Sequence, residues 1–327
     1  MLAFTIRRFG QSLFVLVVMS FLVFLGVYAI GNPIELLVNP QADEIERARA
    51  TAALGLDQPI LQQYWTFLTR ASSGDLGRSF VFNIPAIQLI LERLPATLEL
   101  AAVAMVLAIA LGIPLGLIAG LRPHSFIGRT IMAGSILGFS LPTFWVGLVL
   151  IMLFSVHLGW LPPNGRGETV MLLGIPVSFL TLDGLKHLAM PALNLALFKL
   201  SLLVRLTRAS TREAVLQDYV KFARAKGLSS RRVIGVHVLK NIMIPIVTVI
   251  GLELGSVIAF AIITESIFAW PGTGKLLIDS INQLDRPVIV AYLLVIVTIF
   301  ISINFVVDIL YSILDPRVRI GAAAGAH

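Results

Sequence analysis

The chain has 327 residues, of which 57% are hydrophobic and 13% are charged, and its mean hydropathy is +0.91. This composition excludes an ordinary water-soluble globular protein, and the absence of Cys excludes disulfides and thiol chemistry. The formal net charge of +7 is sorted into segments between charge-poor apolar runs, a pattern that indicates membrane topology and argues against nucleic-acid binding.

Six apolar runs meet or approach the length of about 20 residues that a helix needs to cross a bilayer. A transmembrane barrel would instead show alternating segments of about ten residues. The sequence therefore predicts an all-α, polytopic membrane protein with six transmembrane helices. We expect these helices near residues 9–31, 94–121, 130–157, 187–207, 243–268 and 288–312.

The first apolar run has no convincing cleavage site and is predicted to be an uncleaved anchor. A polar external segment follows it, in which Asp57 is a candidate N-cap. With six spans, both termini and the loops 122–129 and 208–241 share one side, and their basic excess marks that side as cytoplasmic. The predicted divisions are an N-terminal transmembrane helix (1–31), a periplasmic segment (32–93), a transmembrane core (94–312) and a cytoplasmic tail (313–327).

Small residues recur four apart in three of the predicted helices. In lipid this spacing lets helix backbones approach closely, and it predicts a tightly packed bundle. For any single pair, a chance occurrence of small residues is about as good an explanation. The residues are Gly112, Gly116 and Gly120; Gly134 and Gly138; and Gly251 and Gly255.

Ionisable residues inside spans usually face a cavity or a partner. Lys199 and Glu253 are expected at similar depth, where they either form an ion pair, line the translocation path with opposite charges, or are unrelated. Arg205 and Asp308 form a second candidate pair near the inner boundary, with separate snorkelling as the alternative. Glu99 lies near the outer end of its helix and is expected to reach headgroup water.

The internal loop contains a basic, amphipathic segment, DYVKFARAKGL, from Asp218 to Leu228. Helical spacing places an apolar set on one face and basic side chains on its flanks. The apolar set is Leu216, Tyr219, Val220 and Ala223, and the basic set is Lys221, Arg224 and Lys226. Such a helix either rests on the membrane surface or binds a soluble partner.

PGTGK at Pro271–Lys275 lacks the first Gly and the final Ser or Thr of a phosphate-binding loop. We expect a tight turn there, at the outer mouth of the bundle. The five His residues never occur at metal-ligand spacing, and no nucleophile–base or paired-carboxylate pattern is present. The sequence therefore predicts no metal, no cofactor and no catalysis in this chain.

Short motifs follow one another in a distinctive order. DYVKFARAKGL is followed by HVLKN at His237 and IPIVT at Ile244, and it is preceded by RRFGQSLFVLVVMSFLVF, LGLDQP, GDLGRS and PATLEL; FAWPGTGKLL, VVDILY and LDPRVR come last. This series resembles the dipeptide/oligopeptide/nickel permease family, the transmembrane subunits of binding-protein-dependent ABC importers. The broader importer loop pattern has Glu-Ala-Ala, three residues and Gly, then Leu-Pro; only Ala223, Gly227 and Leu239 fit it, a departure that is characteristic of the peptide branch.

The resemblance implies a type I ABC importer transmembrane domain in the bacterial inner membrane. It implies a second homologous permease subunit, a periplasmic substrate-binding protein and two cytoplasmic ATP-binding subunits, which would bind and hydrolyse ATP. Peptides are the expected cargo, with nickel chelates, glutathione or sugars as alternatives. A secondary carrier without an ATPase and a membrane scaffold are the rivals from other classes.

The resemblance also implies that a helix beginning near Val215 couples to the ATPase. Tyr219, Val220, Phe222 and Ala223 would then be its apolar anchors. Gly227 is expected to end this helix, because a residue without Cβ adopts positive φ readily. The whole implied coupling segment is Asp218, Tyr219, Val220, Phe222, Ala223, Arg224, Ala225, Lys226 and Gly227.

Overall fold

A computed structural model describes residues 2–29, 43–53 and 57–314, and these are almost entirely helical. The long helices are α1 (Leu2–Ala29), α4 (Ala86–Leu121), α5 (Phe126–Ser140), α7 (Leu182–Leu216), α9 (Ser230–Ile267) and α11 (Arg286–Leu314). The shorter helices are α2 (Glu44–Ala53), α3 (Ile60–Ser72), α6 (Thr143–Leu150, continued as a π-helix over Ile151–His157), α8 (Asp218–Ala225) and α10 (Thr273–Asn282). An antiparallel hairpin, β1 (Val170–Leu172) and β2 (Ile175–Val177), precedes α7.

Length and composition make five of the described helices able to cross a membrane, and a bent pair adds a sixth if it is counted as one span. The prediction of an all-α polytopic membrane protein is confirmed. The predicted end of the first helix at residue 31, the start of the periplasmic segment and the tail from residue 315 onward lie outside the described residues. Several helices are longer than predicted; α7 has 35 residues.

The predicted continuous helix over 130–157 is wrong, because the chain bends there by 107° between α5 and α6. Pro142 precedes α6 and has no N–H to continue the helical ladder. A proline also disfavours helical geometry in the residue before it, and Leu141 is extended, with φ −81° and ψ 134°. The break therefore follows from one proline inside a charge-free run.

The chain divides into two compact units. The first comprises Met1–Pro95 and Gly272–Ser312. In it α3 packs on α1, where the Tyr64 hydroxyl lies 2.8 Å from Ser20 Oγ and its ring lies 5.1 Å from that of Phe21. The predicted Asp57 cap is wrong, since α3 begins three residues later, after Pro59.

A buried carboxylate joins two loops of this first unit. Asp285, which is buried, accepts a hydrogen bond from the Ser79 hydroxyl and one of 3.0 Å from the Phe80 backbone N–H. It thereby links the segment before α4 to the turn between α10 and α11. Because a buried unpaired carboxylate is costly, these donors make the loop arrangement specific.

The second unit comprises Ala96–Pro271 and Ile313–His327. In it α4 and α7 approach so closely that only glycine fits on α4. A Cβ on Gly116 would lie 2.6 Å from the Thr207 Cβ and 2.7 Å from the Val204 carbonyl oxygen. Gly112 faces Leu203 and Gly120 faces Thr211 in the same way. The predicted close packing is therefore confirmed for this helix, whereas Gly134 has no neighbour within 4 Å.

We expect Gly116→Ala to destabilise the protein, because the added methyl group meets backbone and Cβ atoms that cannot rotate away. Overpacking of this kind costs typically about 1–3 kcal/mol. Gly134→Ala is the matched control, since its Cβ enters open space on another helix. The unfolding midpoint of both variants in detergent measures the difference, and equal midpoints would contradict the close contact.

Candidate functional site: the coupling helix and the intramembrane charges

The helix α8 is a short, firmly terminated element between two long spans. Two backbone hydrogen bonds close its C-terminus, from Gly227 N–H to the Arg224 carbonyl (2.9 Å) and from Leu228 N–H to the Ala223 carbonyl (3.3 Å). This is a Schellman motif, which needs a left-handed residue after the cap. Gly227 supplies it with φ +76°. The expectation that Gly227 ends the helix at positive φ is confirmed, whereas the expected start near Val215 is wrong, because α7 continues to Leu216.

The apolar residues of α8 face two different directions. Val220 and Ala223 are buried, on a helix that packs against α7 and the π-helical turn Val233–Val238 of α9. Tyr219 and Phe222 are exposed, and 63% of Phe222 is accessible. The expectation that all four are anchors for a partner is therefore wrong for Val220 and Ala223, which hold the helix on its own chain.

Charged side chains surround the exposed aromatic pair. The Lys226 ammonium lies 4.7 Å from the Phe222 ring centroid, and Lys221 is 2.9 Å from the carboxylate of Asp218. Arg224 and Ala225 are exposed as well. The outward surface of α8 thus consists of two aromatic rings within a mainly basic rim. Protein interfaces commonly have this arrangement, with aromatic residues at the centre and polar residues around them.

A polar cleft lies beside Tyr219, between the end of α7 and the start of α9. It has a volume of about 210 Å³, and its wall includes Glu213, Gln217 and Asn241. Any rotation of α8 against these two helices changes the shape of this cleft. The cleft therefore places Tyr219 of α8 directly beside residues of two long helices.

Lys199 and Glu253 form an ion pair inside the second unit. The Lys199 ammonium also donates to Ser256 Oγ at 2.7 Å, and the Ser256 hydroxyl donates to Glu253 Oε2 at 2.7 Å. The rings of Phe198 and Phe260 have their centroids 5.4 and 5.3 Å from the ammonium. Of the alternatives left open by the sequence, the structure brings these two residues together, which excludes unrelated positions.

Arg205 and Asp308, the second candidate pair, each have a different partner. The Arg205 guanidinium carbon lies 4.2 Å from the Phe139 ring centroid, and its Nε donates to the Ser201 carbonyl at 3.3 Å. Asp308 lies 3.1 Å from the guanidinium of Arg8. The sequence missed this last pair because it joins the two ends of the described chain.

Glu99 is a buried structural residue, and the expectation that it reaches headgroup water is wrong. Its carboxylate accepts from the Arg166 guanidinium at 2.5 and 2.9 Å and from the backbone N–H groups of Ser178 and Phe179 at 2.5 and 2.9 Å. Arg166 also donates to the Pro176 carbonyl at 2.6 Å. The carboxylate therefore fastens the loop that contains the hairpin onto α4.

Trp270, just before the PGTGK motif, lies beside this cluster. It is buried, its indole N–H donates to the Ala96 carbonyl at 2.9 Å, and its ring centroid is 5.8 Å from the Arg166 guanidinium carbon. The expected tight turn over 271–275 is wrong, because α10 already begins at Thr273. The only sequence signal for this contact was an isolated Trp before a Pro-Gly pair. The sequence could not identify its partner on α4, which is 174 positions away.

Two family models match the chain. The model described as "Binding-protein-dependent transport system inner membrane component" covers residues 112–320, and that for the N-terminal part of such membrane components covers residues 1–101. A chain of the solved MetNI methionine ABC transporter, in inward-facing conformations, superimposes with a TM-score of 0.55 at 15% identity, over 70% of this chain and 97% of that one. The match confirms the transmembrane fold of a type I ABC importer.

Full-length relatives agree with the models. The Di/tripeptide transport system permease protein DppB of Pseudomonas aeruginosa is 40% identical, over 98% of this chain and 99% of its own length. The Oligopeptide transport system permease protein AppB of Bacillus subtilis is 38% identical over 98% and 100%, and the Glutathione transport system permease protein GsiC of Escherichia coli O6:H1 is 38% identical over 98% and 99%. Together with the apolar helices and the short basic helix between two of them, these matches show that the chain belongs to the family of binding-protein-dependent transport system inner membrane components, the multi-pass permeases of ABC importers.

Proposed function

We propose that this chain is one of two non-identical permease subunits of an importer that takes up dipeptides or short oligopeptides. The second permease subunit would complete the translocation path, and a periplasmic binding protein would deliver the cargo. Two cytoplasmic ATP-binding subunits would bind and hydrolyse ATP, and this chain would move without catalysing a reaction. The peptide cargo is supported by the names of relatives that are about 40% identical along their full length.

The observation that carries this proposal is the outward face of α8. Its two exposed aromatic side chains, Tyr219 and Phe222, lie on a helix whose other apolar residues are buried against its own chain. Two rings offer little area for insertion into lipid, where affinity grows with the apolar area buried. Two aromatic anchors are, by contrast, sufficient for a protein pocket, where a few buried rings dominate the binding energy. We therefore infer that α8 binds an ATPase subunit.

The orientation of the chain follows from the same helix. Because α8 would contact cytoplasmic subunits, the loop 208–241 and both termini would be cytoplasmic, in agreement with the basic excess of these segments. Residues 32–93 and the hairpin loop would then face the periplasm. Closure of the ATP-binding subunits would move α8, and α8 would transmit that movement to α7 and α9.

Reconstitution with the second permease subunit, the ATP-binding subunits and the binding protein tests the proposal. We expect uptake of a labelled dipeptide into proteoliposomes to require ATP and loaded binding protein, and to persist after an ionophore has collapsed all ion gradients. Gradient-driven uptake without ATP would instead identify a secondary carrier. ATP-driven uptake of glutathione or a nickel chelate, with no uptake of peptides, would show that the cargo assignment is wrong and that the ATP-driven mechanism is right.

A further inference from the structure

Three aromatic rings and three charged side chains form a continuous strip across α5, α7 and α9. The rings of Phe139 and Phe198 stack with centroids 4.9 Å apart, and Phe260 follows at 6.4 Å from Phe198. Lys199 with Glu253 lies at one end of these rings, and Arg205 lies over Phe139 at the other. We call these six residues the central strip.

The depth of the central strip follows from helix length. Lys199 is the middle residue of α7, whose 35 residues give a length of about 52 Å at 1.5 Å per residue. The hydrocarbon core of a bilayer is about 30 Å thick. Any 30 Å section of a helix of this length that crosses the bilayer includes its centre. Lys199 and its partner Glu253 therefore lie within the hydrocarbon layer.

The charged groups of the strip have hydrogen-bonding capacity that the described residues do not use. Both hydrogen bonds of the Glu253 carboxylate go to Oε2, from Lys199 and Ser256, and 27% of its side chain is accessible. Arg205 donates only its Nε, at 3.3 Å, so no described residue receives a hydrogen bond from its two terminal nitrogens. One carboxylate oxygen and one guanidinium edge are therefore available.

The open oxygen of Glu253 lies in the hydrocarbon layer and cannot face lipid without a large cost, because ionisable residues in spans pair with one another or line a water-filled cavity. Arg205 is six residues, or about 9 Å, further along α7 than Lys199. Phe139 and Phe260 are exposed next to them, so the strip is a surface and not an internal core. A surface that combines rings, an anion and a cation on membrane-spanning helices is suited to a polar cargo. It is poorly suited to packing against apolar helices.

We propose, on the basis of the proposed peptide-import function, that the central strip is the wall of the translocation path that receives the two charged ends of a peptide. The cargo's ammonium group would lie at Glu253 Oε1, and its carboxylate at the Arg205 guanidinium. Lys199, which is paired with Glu253, and Arg205 are six positions apart on α7, or about 9 Å along that helix. An extended peptide of two or three residues, at about 3.3–3.6 Å per residue, spans a similar distance. The aromatic rings between the two poles would contact the side chains of the cargo.

The terminal charges of the cargo test the central strip, in reconstituted complexes with saturating binding protein loaded with either Ala-Ala amide, which keeps only the ammonium group, or N-acetyl-Ala-Ala, which keeps only the carboxylate. We expect Arg205→Gln to slow uptake of N-acetyl-Ala-Ala relative to Ala-Ala amide, and Glu253→Gln to slow uptake of Ala-Ala amide relative to N-acetyl-Ala-Ala. A hydrogen bond to a charged group contributes about 1.5–3 kcal/mol, so each ratio should change about tenfold or more. Arg129→Gln, in the first turn of α5 and outside the strip, is the matched control and should leave the ratio unchanged.

The opposite direction of the two changes separates this role from a structural one. If the charges only hold the helices together, both variants slow both peptides equally and the ratio stays at the wild-type value, which overturns the proposal. A wild-type complex that takes up no unmodified Ala-Ala with ATP refutes the peptide-import function itself. A change in the uptake ratio of the two peptides, with an unchanged rate of ATP hydrolysis, supports the role of the central strip in binding the ends of the cargo.

Discussion

Replacement of Phe222 by Asp is expected to abolish ATP-driven uptake and to release the ATP-binding subunits from the complex. Phe222 is 63% accessible on α8 and would be the central anchor in the ATPase pocket. Loss of such an aromatic anchor costs at least about 2 kcal/mol, and a carboxylate placed in the same pocket adds the cost of burying an unpaired charge. Co-purification of the ATP-binding subunits and uptake into proteoliposomes measure the effect.

The control for this variant is Phe126→Asp. Phe126 is also an exposed phenylalanine, at the start of α5, in a loop expected on the same side of the membrane. We expect it to retain both the ATP-binding subunits and uptake. If Phe222→Asp behaves like Phe126→Asp, α8 does not bind an ATPase, and a position on the membrane surface becomes the better explanation.

The position of α8 was predictable from sequence, but the direction of its faces was not. Its basic residues interrupt a strongly apolar chain, and Gly227 marks its end, so local pattern was sufficient to find it. Whether Val220 or Phe222 faces outward depends on the packing of α7 and α9 against the helix. Amphipathic spacing shows that the helix has two faces, but only the tertiary structure decides which face is buried against the same chain.

The buried charges show the same limit of local pattern. Lys199 and Glu253 were recognisable because each is isolated in an otherwise apolar run, and similar depth suggested that they meet. Glu99 and Arg166 were not recognisable as a pair, since Arg166 lies in a polar loop where an arginine is ordinary. Their contact joins positions 67 residues apart, and it depends on how the loop folds back onto α4.

The break between α5 and α6 was missed for a related reason. The run from residue 130 to 165 contains no charge, so hydropathy treats it as one span. Prolines are tolerated in transmembrane helices when neighbours satisfy the freed backbone groups, and a Pro therefore does not by itself predict a break. At Leu141, directly before Pro142, the chain becomes extended and turns by 107°, so here the proline does break the helix.

Replacement of Glu99 by Ala should destabilise the second unit by roughly 3–5 kcal/mol, the usual cost of removing one partner from a buried ion pair. The change leaves the Arg166 guanidinium without its carboxylate, and it leaves the backbone N–H groups of Ser178 and Phe179 without their acceptor. We expect a markedly lower unfolding midpoint in detergent. Uptake should fall as well, because the hairpin loop is no longer fastened to α4.

Two further variants define the origin of this loss. Glu168→Ala makes the same chemical change on the loop that Glu99 fastens. The Glu168 side chain is exposed and shows no ion pair among the described residues, so this variant should keep the midpoint near the wild-type value. Glu99→Met combined with Arg166→Met removes both charges at once, so it should recover part of the stability lost in Glu99→Ala. Recovery should be incomplete, since two backbone donors remain unpaired. Equal midpoints for Glu99→Ala and Glu168→Ala would show that the carboxylate of Glu99 does not hold the loop.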